Sequence, residues 1–222
     1  MRSSCHGPLP VRTVAVMAAA AAVLLTACAA PFNELQSARL AGPDRIEVTP
    51  AYSAVFFSYE DDTDRAQNQL GFQIATGVGA RTDIRLQYER ITLHDDPDRE
   101  VANVLGFGPK FGLLPDHIAV YVPVGFAFGG RIETSETFQV HPTLLLTLPL
   151  LEFAEINGSA KALIPITDRA RDDLVAFNIG VGLGPDLTRW VLRPEIGILF
   201  NPGEDGHYRH FSIGLTYYFD RP

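Results

Sequence analysis

Lysine is almost missing from these 222 residues, which hold only Lys110 and Lys161. A water-facing surface normally carries many lysines, so little of this chain is expected to meet bulk water. The two cysteines, Cys5 and Cys28, both lie near the N-terminus. Residues 29–222 therefore have no thiol, which excludes a disulfide framework, a cysteine metal site and a cysteine nucleophile. The formal net charge is −8, and the basic footprint of a nucleic-acid-binding protein is absent. Beyond the N-terminal segment no apolar run is long enough to cross a membrane as a helix, and no long amphipathic helix is written in the pattern.

What is present begins with a targeting segment. Arg2 and Arg12 precede an Ala-rich apolar run from Val14 to Leu25. That run is short for a membrane span and right for a secretory signal. It ends Leu25-Thr26-Ala27-Cys28, which resembles a bacterial lipobox. The resemblance implies cleavage before Cys28 and a diacylglycerol on its thiol; ordinary cleavage after Ala29 is the alternative. The expected organisation is a signal peptide over 1–27, a lipidated tether over 28–44 with room for one short helix at Asn33–Leu40, a β-barrel over 45–219 and a tail at 220–222.

From residue 45 onward about ten strand-like runs follow at regular spacing. The expected spans are 45–59, 66–77, 81–93, 100–112, 116–129, 136–149, 152–166, 173–184, 189–201 and 207–219. Their period is two, so the faces of each strand see different surroundings. Ile118, Val120, Val122, Val124, Phe126 and Phe128 alternate with Ala119, Tyr121, Pro123, Gly125 and Ala127. Runs of this length are long for soluble strands and suit tilted strands in a bilayer. Short connections such as Leu114–Asp116 and Pro149–Leu151 alternate with charged ones such as Glu60–Arg65 and Thr167–Asp173. That asymmetry belongs to an up-and-down barrel with turns at one end and loops at the other. A soluble barrel carrying a lipophilic ligand on a lipid tether also alternates, with its apolar face inward. Glycines on the polar face, aromatics at the strand ends and an apolar face nearly free of charge favour the membrane arrangement.

The closing run, His210 to Phe219, resembles the C-terminal assembly signal of Gram-negative outer-membrane β-barrels. Ser212, Gly214, Tyr217 and Phe219 stand in its places, although Asp220-Arg221-Pro222 follow where the family usually stops. The resemblance implies recognition by the barrel-assembly machinery, an outer-membrane location and contact with lipopolysaccharide and other envelope lipids. With an even strand number, both termini are expected on the periplasmic, short-turn side, with the charged loops outside. The Cys28 lipid would then sit in the inner leaflet.

The polar face supplies Glu47, Asp83, Arg85, Glu89, Lys110, His141, Glu155, Lys161, Arg193 and Glu195. Both signs are present, so a paired, hydrogen-bonded plug is expected ahead of a narrow pore or small-solute site. The tether could also fold into the periplasmic mouth and block it. No cofactor and no metal are expected. Two catalytic resemblances are weaker. His210 and Ser212 have the His-x-Ser spacing of outer-membrane lipid A deacylases, but the orienting Glu of that family has no counterpart before the chain ends. Asp205 and His207, with Asp95 and Asp96, resemble the acidic and Asp-x-His groups of omptin proteases, which are much larger. The expectation is a structural or narrow-pore barrel and not an enzyme; an envelope-lipid-modifying enzyme is the alternative.

Overall fold

The computed structural model describes residues 31–60, 62–94, 101–130, 132–167 and 173–221. The strands are β1 (Arg45–Tyr59), β2 (Asp62–Gly79), β3 (Thr82–Leu93), β4 (Val101–Leu114), β5 (Ile118–Tyr121), β6 (Val124–Phe128), β7 (Gln139–Val140), β8 (Thr143–Leu151), β9 (Ala154–Pro165), β10 (Leu174–Leu183), β11 (Trp190–Phe200) and β12 (His207–Asp220). All pair antiparallel with their neighbours, and β1 pairs with both β2 and β12, so the sheet closes on itself. The expected ten staves are all there. Two of them are interrupted. β5 and β6 form one stave broken at Val122-Pro123; β7 and β8 form another, broken at His141-Pro142. Proline has no N–H for the ladder, so the breaks fall where sequence puts it. The ring stays sealed because His141 donates to the Pro123 carbonyl at 2.9 Å and Ala162 to the Pro142 carbonyl at 3.1 Å.

The burial pattern is inside out. The largest fully buried side chains include Arg85 and Lys110, while Leu70, Phe107, Leu148 and Ile196 are more than half exposed on the outer wall. Period two does this without any helix or second sheet: odd and even positions see opposite sides of one layer. Aromatics line both rims. Phe126 packs against Phe138 with ring centroids 5.2 Å apart toward the loops, and Tyr217 against Phe219 at 5.4 Å toward the turns. One turn carries its own cap. Asp186, between β10 and β11, accepts the Thr188 hydroxyl at 2.6 Å and the Thr188 N–H at 2.9 Å, and those bonds hold its carboxyl below the usual range.

The tether departs from expectation. Asn33–Leu40 forms no helix; it is extended chain, and Phe32 to Ala38 are buried inside the barrel. Nor do the described ends leave on one side. Arg221 donates to the Asp44 carbonyl at the turn end. At its other extreme, Phe32 packs in the loop-side half among Val55, Leu163, Leu174, Leu199 and Tyr208. The segment therefore runs the barrel's length from the loop side to the turn side. Gly42 then reverses it into β1 with φ +83, a left-handed turn that glycine adopts without strain. At the C-terminal boundary, β12 continues through Asp220, which the sequence placed in the tail.

Candidate functional site: a threaded lumen

The ten polar residues expected in the lumen all point inward and are buried. Most of them hold the N-terminal segment, which we call the thread. Eight strands contribute, among them β1 through Ser53 and β10 through Asn178. From β11, Glu195 accepts the consecutive N–H groups of Glu34 and Leu35, each at 2.9 Å. Consecutive N–H groups aimed at one carboxylate make a small concave anion site. Leu35 reaches it with φ +47, a left-handed conformation that costs an L-residue about 1–2 kcal/mol. From β4, Lys110 donates to the Ser37 carbonyl at 2.6 Å and the Arg39 carbonyl at 2.7 Å. From β3, Asp83 accepts the Ala41 N–H at 2.6 Å. From β9, Lys161 bonds the Pro31 carbonyl at 2.8 Å and pairs with Glu34 at 2.7 Å. Gln73 on β2 donates to the Glu34 carbonyl at 2.8 Å, and Thr147 on β8 accepts the Ala38 N–H at 2.7 Å.

This explains why the thread is not helical. A helix satisfies backbone groups within itself; here wall side chains do so instead, and each such bond would otherwise be an unmade buried hydrogen bond. Residues some 160 positions away in sequence decide the conformation, so local propensity does not.

The remaining charges pair across the wall. Arg85 meets Glu47 at 2.9 Å, both buried. Glu155 lies between two guanidiniums: Arg193 of the wall at 2.9 Å and Arg39 of the thread at 3.0 Å. The Arg193 contact is an aligned hydrogen bond, whereas the Arg39 contact is an ion pair without that alignment. Glu89 accepts the Asn33 side chain at 3.1 Å. His141 bonds Gln139 and does not touch the thread. The ion pairs neutralise Arg85 with Glu47 and Glu155 with its guanidiniums, as buried charges require, while the partner of Glu89 is a neutral amide.

Three sets of lumen residues were not singled out from the sequence. The thread's own Asn33, Glu34 and Arg39 carry polar side chains that no strand pattern flags. The amides Gln69, Gln73, Asn157 and Asn178 sit on the same inward faces as the charges, and the period of two marks them equally. At the loop side the lumen turns apolar, with Val55, Leu163, Leu174, Ala176 and Leu199 around Phe32. The Phe32 ring meets Tyr208 edge-on at 5.5 Å.

The structure brings His210 and Ser212 together. His210 Nδ1 lies 2.7 Å from Ser212 Oγ, and its Nε2 lies 2.9 Å from Asn178 Oδ1. That is the order of a nucleophile, a base and an orienting group. Yet Ser212 has no exposure, and its hydroxyl bonds Ser53 Oγ at 2.7 Å. Both side chains face the lumen wall beside the thread, away from any lipid on the outer surface. Gly197 makes room for this cluster, since a Cβ there would collide with Asn178 Oδ1 and His210 Nε2. Asp205 is exposed in the loop before β12 and His207 opens that strand. Asp95, Asp96, Cys28 and the signal segment lie outside the described residues. Ser212, Gly214, Tyr217 and Phe219 all lie on β12, the first two inward and the aromatics outward. Among the described residues no group of three His, Cys, Asp or Glu could hold a metal.

No protein-family model and no curated relative matches the sequence. Solved structures that resemble it include bacterial outer-membrane proteins and a designed transmembrane β-barrel. An outer-membrane channel from Pseudomonas putida F1 aligns with a TM-score of 0.48 at 9% identity, over 85% of this chain and 98% of the other. The translocator domain of the autotransporter NalP from Neisseria meningitidis gives 0.45 at 11%, over 78% and 88%. The attachment invasion locus protein Ail of Yersinia pestis gives 0.37 at 9%, over 80% and 99%. These are likenesses of shape at low identity; the fold stands on the closed strand ladder itself.

Proposed function

We propose that this chain is an outer-membrane β-barrel whose lumen is sealed by its own N-terminal segment, serving the envelope as a structural barrel and not as an enzyme. One observation carries the sealing: Phe32 to Ala41 occupy the barrel axis with their backbone groups bonded to wall side chains. A barrel of about ten strands leaves only a narrow interior, and one extended chain with its partners takes it up.

The outer wall supports the membrane reading. Leu70, Phe107, Leu148, Ile179 and Ile196, each more than half exposed, sit on strands right around the ring. A soluble monomer does not expose an apolar band of that kind. In a bilayer the closed ladder leaves no unpaired backbone edge. The longer charged loops face outward and the short turns face the periplasm, as in other barrels of this build. β12 carries the residues the assembly machinery would read, and the surrounding partners are outer-membrane lipids and lipopolysaccharide.

Full-length protein in planar bilayers should be electrically silent, while a variant lacking residues 31–42 should conduct. Steady conductance by the full chain would overturn the sealed reading. Folding of both is checked by heat-modifiable migration on gels, and a full chain that shows no such shift and stays soluble would overturn the membrane reading. Ser212→Ala should leave the lipid A of the host unchanged; a loss of lipid A modification would restore the enzyme alternative.

A further inference from the structure

We propose, on the membrane reading above, that an arc of three arginines on the outer wall binds the phosphates of a lipid A headgroup in the loop-side leaflet. Among the described residues, three charged side chains stand on the outward face of the strands, and all are arginine: Arg209 of β12, Arg65 of β2 and Arg90 of β3. Between the first two runs β1, whose Phe56 lies opposite both Arg209 and Arg65. The outward positions of β4 to β11 carry no charge. An arginine on a lipid-facing wall is costly at the midplane and tolerated near the interface. Every stave ends at that interface, so tolerance alone does not gather all three on the adjacent strands β12, β1, β2 and β3.

At the spacing of paired strands, Arg209 and Arg65 stand about 10 Å apart across Phe56. The Arg65 guanidinium donates to the Tyr52 hydroxyl at 2.9 Å and to Asn68 Oδ1 at 2.5 Å, which turns it toward the apolar belt. Asn68 lies opposite Thr92, so Arg90 is its diagonal neighbour, about 7–8 Å away. Arg90 is exposed and bonds no other described side chain. Arg209 donates through Nε to His207 at 2.9 Å, a bond that does not use its two terminal nitrogens. Both lysines lie in the lumen, and the arc is built from the residue whose planar fork meets a phosphate with two parallel bonds. Turnward of the arc, Leu70, Phe72 and Phe211 are exposed and apolar, a surface for acyl chains. Loopward, Asp62, Asp64, Glu204 and Asp205 are exposed carboxylates. They repel a soluble phosphate coming from water, whereas a lipid phosphate arrives sideways in the plane of the bilayer. Lipid A carries two phosphates, which suits separated cations better than a lipid with one.

The test uses refolded full-length protein in detergent micelles, with folding checked by heat-modifiable migration. Purified lipopolysaccharide, the same lipopolysaccharide with its lipid A phosphates removed, and phosphatidylglycerol are each titrated in. The proteins are the parent, Arg90→Gln, the triple variant Arg65→Gln, Arg90→Gln, Arg209→Gln, and Arg189→Gln as control, since Arg189 pairs with Asp186 at an exposed turn. Affinity for lipopolysaccharide should fall by roughly tenfold or more in the triple variant through loss of charge-assisted bonds, less in Arg90→Gln, and not at all in Arg189→Gln. The parent should bind the dephosphorylated form and phosphatidylglycerol more weakly than lipopolysaccharide. Equal affinity of parent and triple variant would overturn the inference, and so would equal binding of the dephosphorylated form. Equal binding of phosphatidylglycerol would overturn lipid A as the occupant. If the triple variant does not fold, Arg90→Gln decides alone, because no described side chain leans on Arg90. A parent chain with no heat shift would overturn the membrane reading itself; a heat-modifiable parent whose lipopolysaccharide binding ignores the arginines overturns this inference only.

Discussion

Leu35 of the thread lies against Gly214 of β12: a Cβ built on Gly214 stands 3.5 Å from the Cβ of Leu35. That separation is within the range of about 3.5–4.5 Å that a disulfide spans. The paired variant Leu35→Cys, Gly214→Cys should therefore link on mild oxidation of the folded barrel. The same Cβ meets Thr49 Cγ2 at 3.0 Å, so the threonine must yield slightly. The bond is read by mass spectrometry of a non-reduced digest. Its absence in protein that is otherwise heat-modifiable would mean the thread is not in the lumen.

Glu195 is the carboxylate that both Glu34 and Leu35 address. Glu195→Gln keeps one acceptor and turns the other into a donor facing an N–H. The thread should loosen, with a stability loss of about 2–4 kcal/mol from the unmade buried bond. The expected signs are a lower urea midpoint for loss of the heat-modifiable band and intermittent current in planar bilayers. An unchanged midpoint together with a silent bilayer would refute this.

Lys110 binds two thread carbonyls and brings positive charge to the wall that bears Glu47 and Asp83. Lys110→Met fills similar volume without donors or charge. It leaves the Ser37 and Arg39 carbonyls without that donor and should cost about 1–3 kcal/mol for each buried bond left unmade. Lys110→Arg keeps the charge and should recover part of that loss. Urea titration of the three proteins decides it, and a Lys110→Met variant as stable as the parent would show that the thread needs no cation there.

Gly197→Ala drives a methyl into Asn178 and His210, and overpacking of a closed wall should destabilise it by about 1–3 kcal/mol. Gly79→Ala, where a Cβ meets nothing within 4 Å, is the control and should change little. Equal thermal midpoints for the two would show that the Asn178–His210–Ser212 cluster has slack.

The wall was legible because each residue's side of the sheet is fixed by parity alone. Asp83, Arg85 and Glu89 had to share a face, and so did His210, Ser212 and Gly214. Many strand limits followed from glycine, proline and charged runs; β1 and β3 fall within a residue of their expected spans, whereas β2 begins at Asp62, inside the charged run expected to be a loop. The thread was not legible. Its run Phe32-Asn-Glu-Leu-Gln-Ser-Ala-Arg-Leu40 favours a helix by local propensity, while its conformation is dictated by Glu195, Lys110 and Thr147, which are remote in sequence. The Ser212 contact with His210 was suggested by spacing; its partner Asn178, on another strand, was not.

The pairing of β1 with β12 has a consequence in time. Once that seam shuts, the wall has no lateral opening, and a polypeptide can enter only end-on through a mouth. The order of assembly then matters as much as its end point: either the ring forms around a thread already laid against the nascent wall, or a hairpin bent at Gly42 is drawn up the axis afterwards. In both routes the first strand made waits for the last, so nothing short of the complete chain can trap the thread.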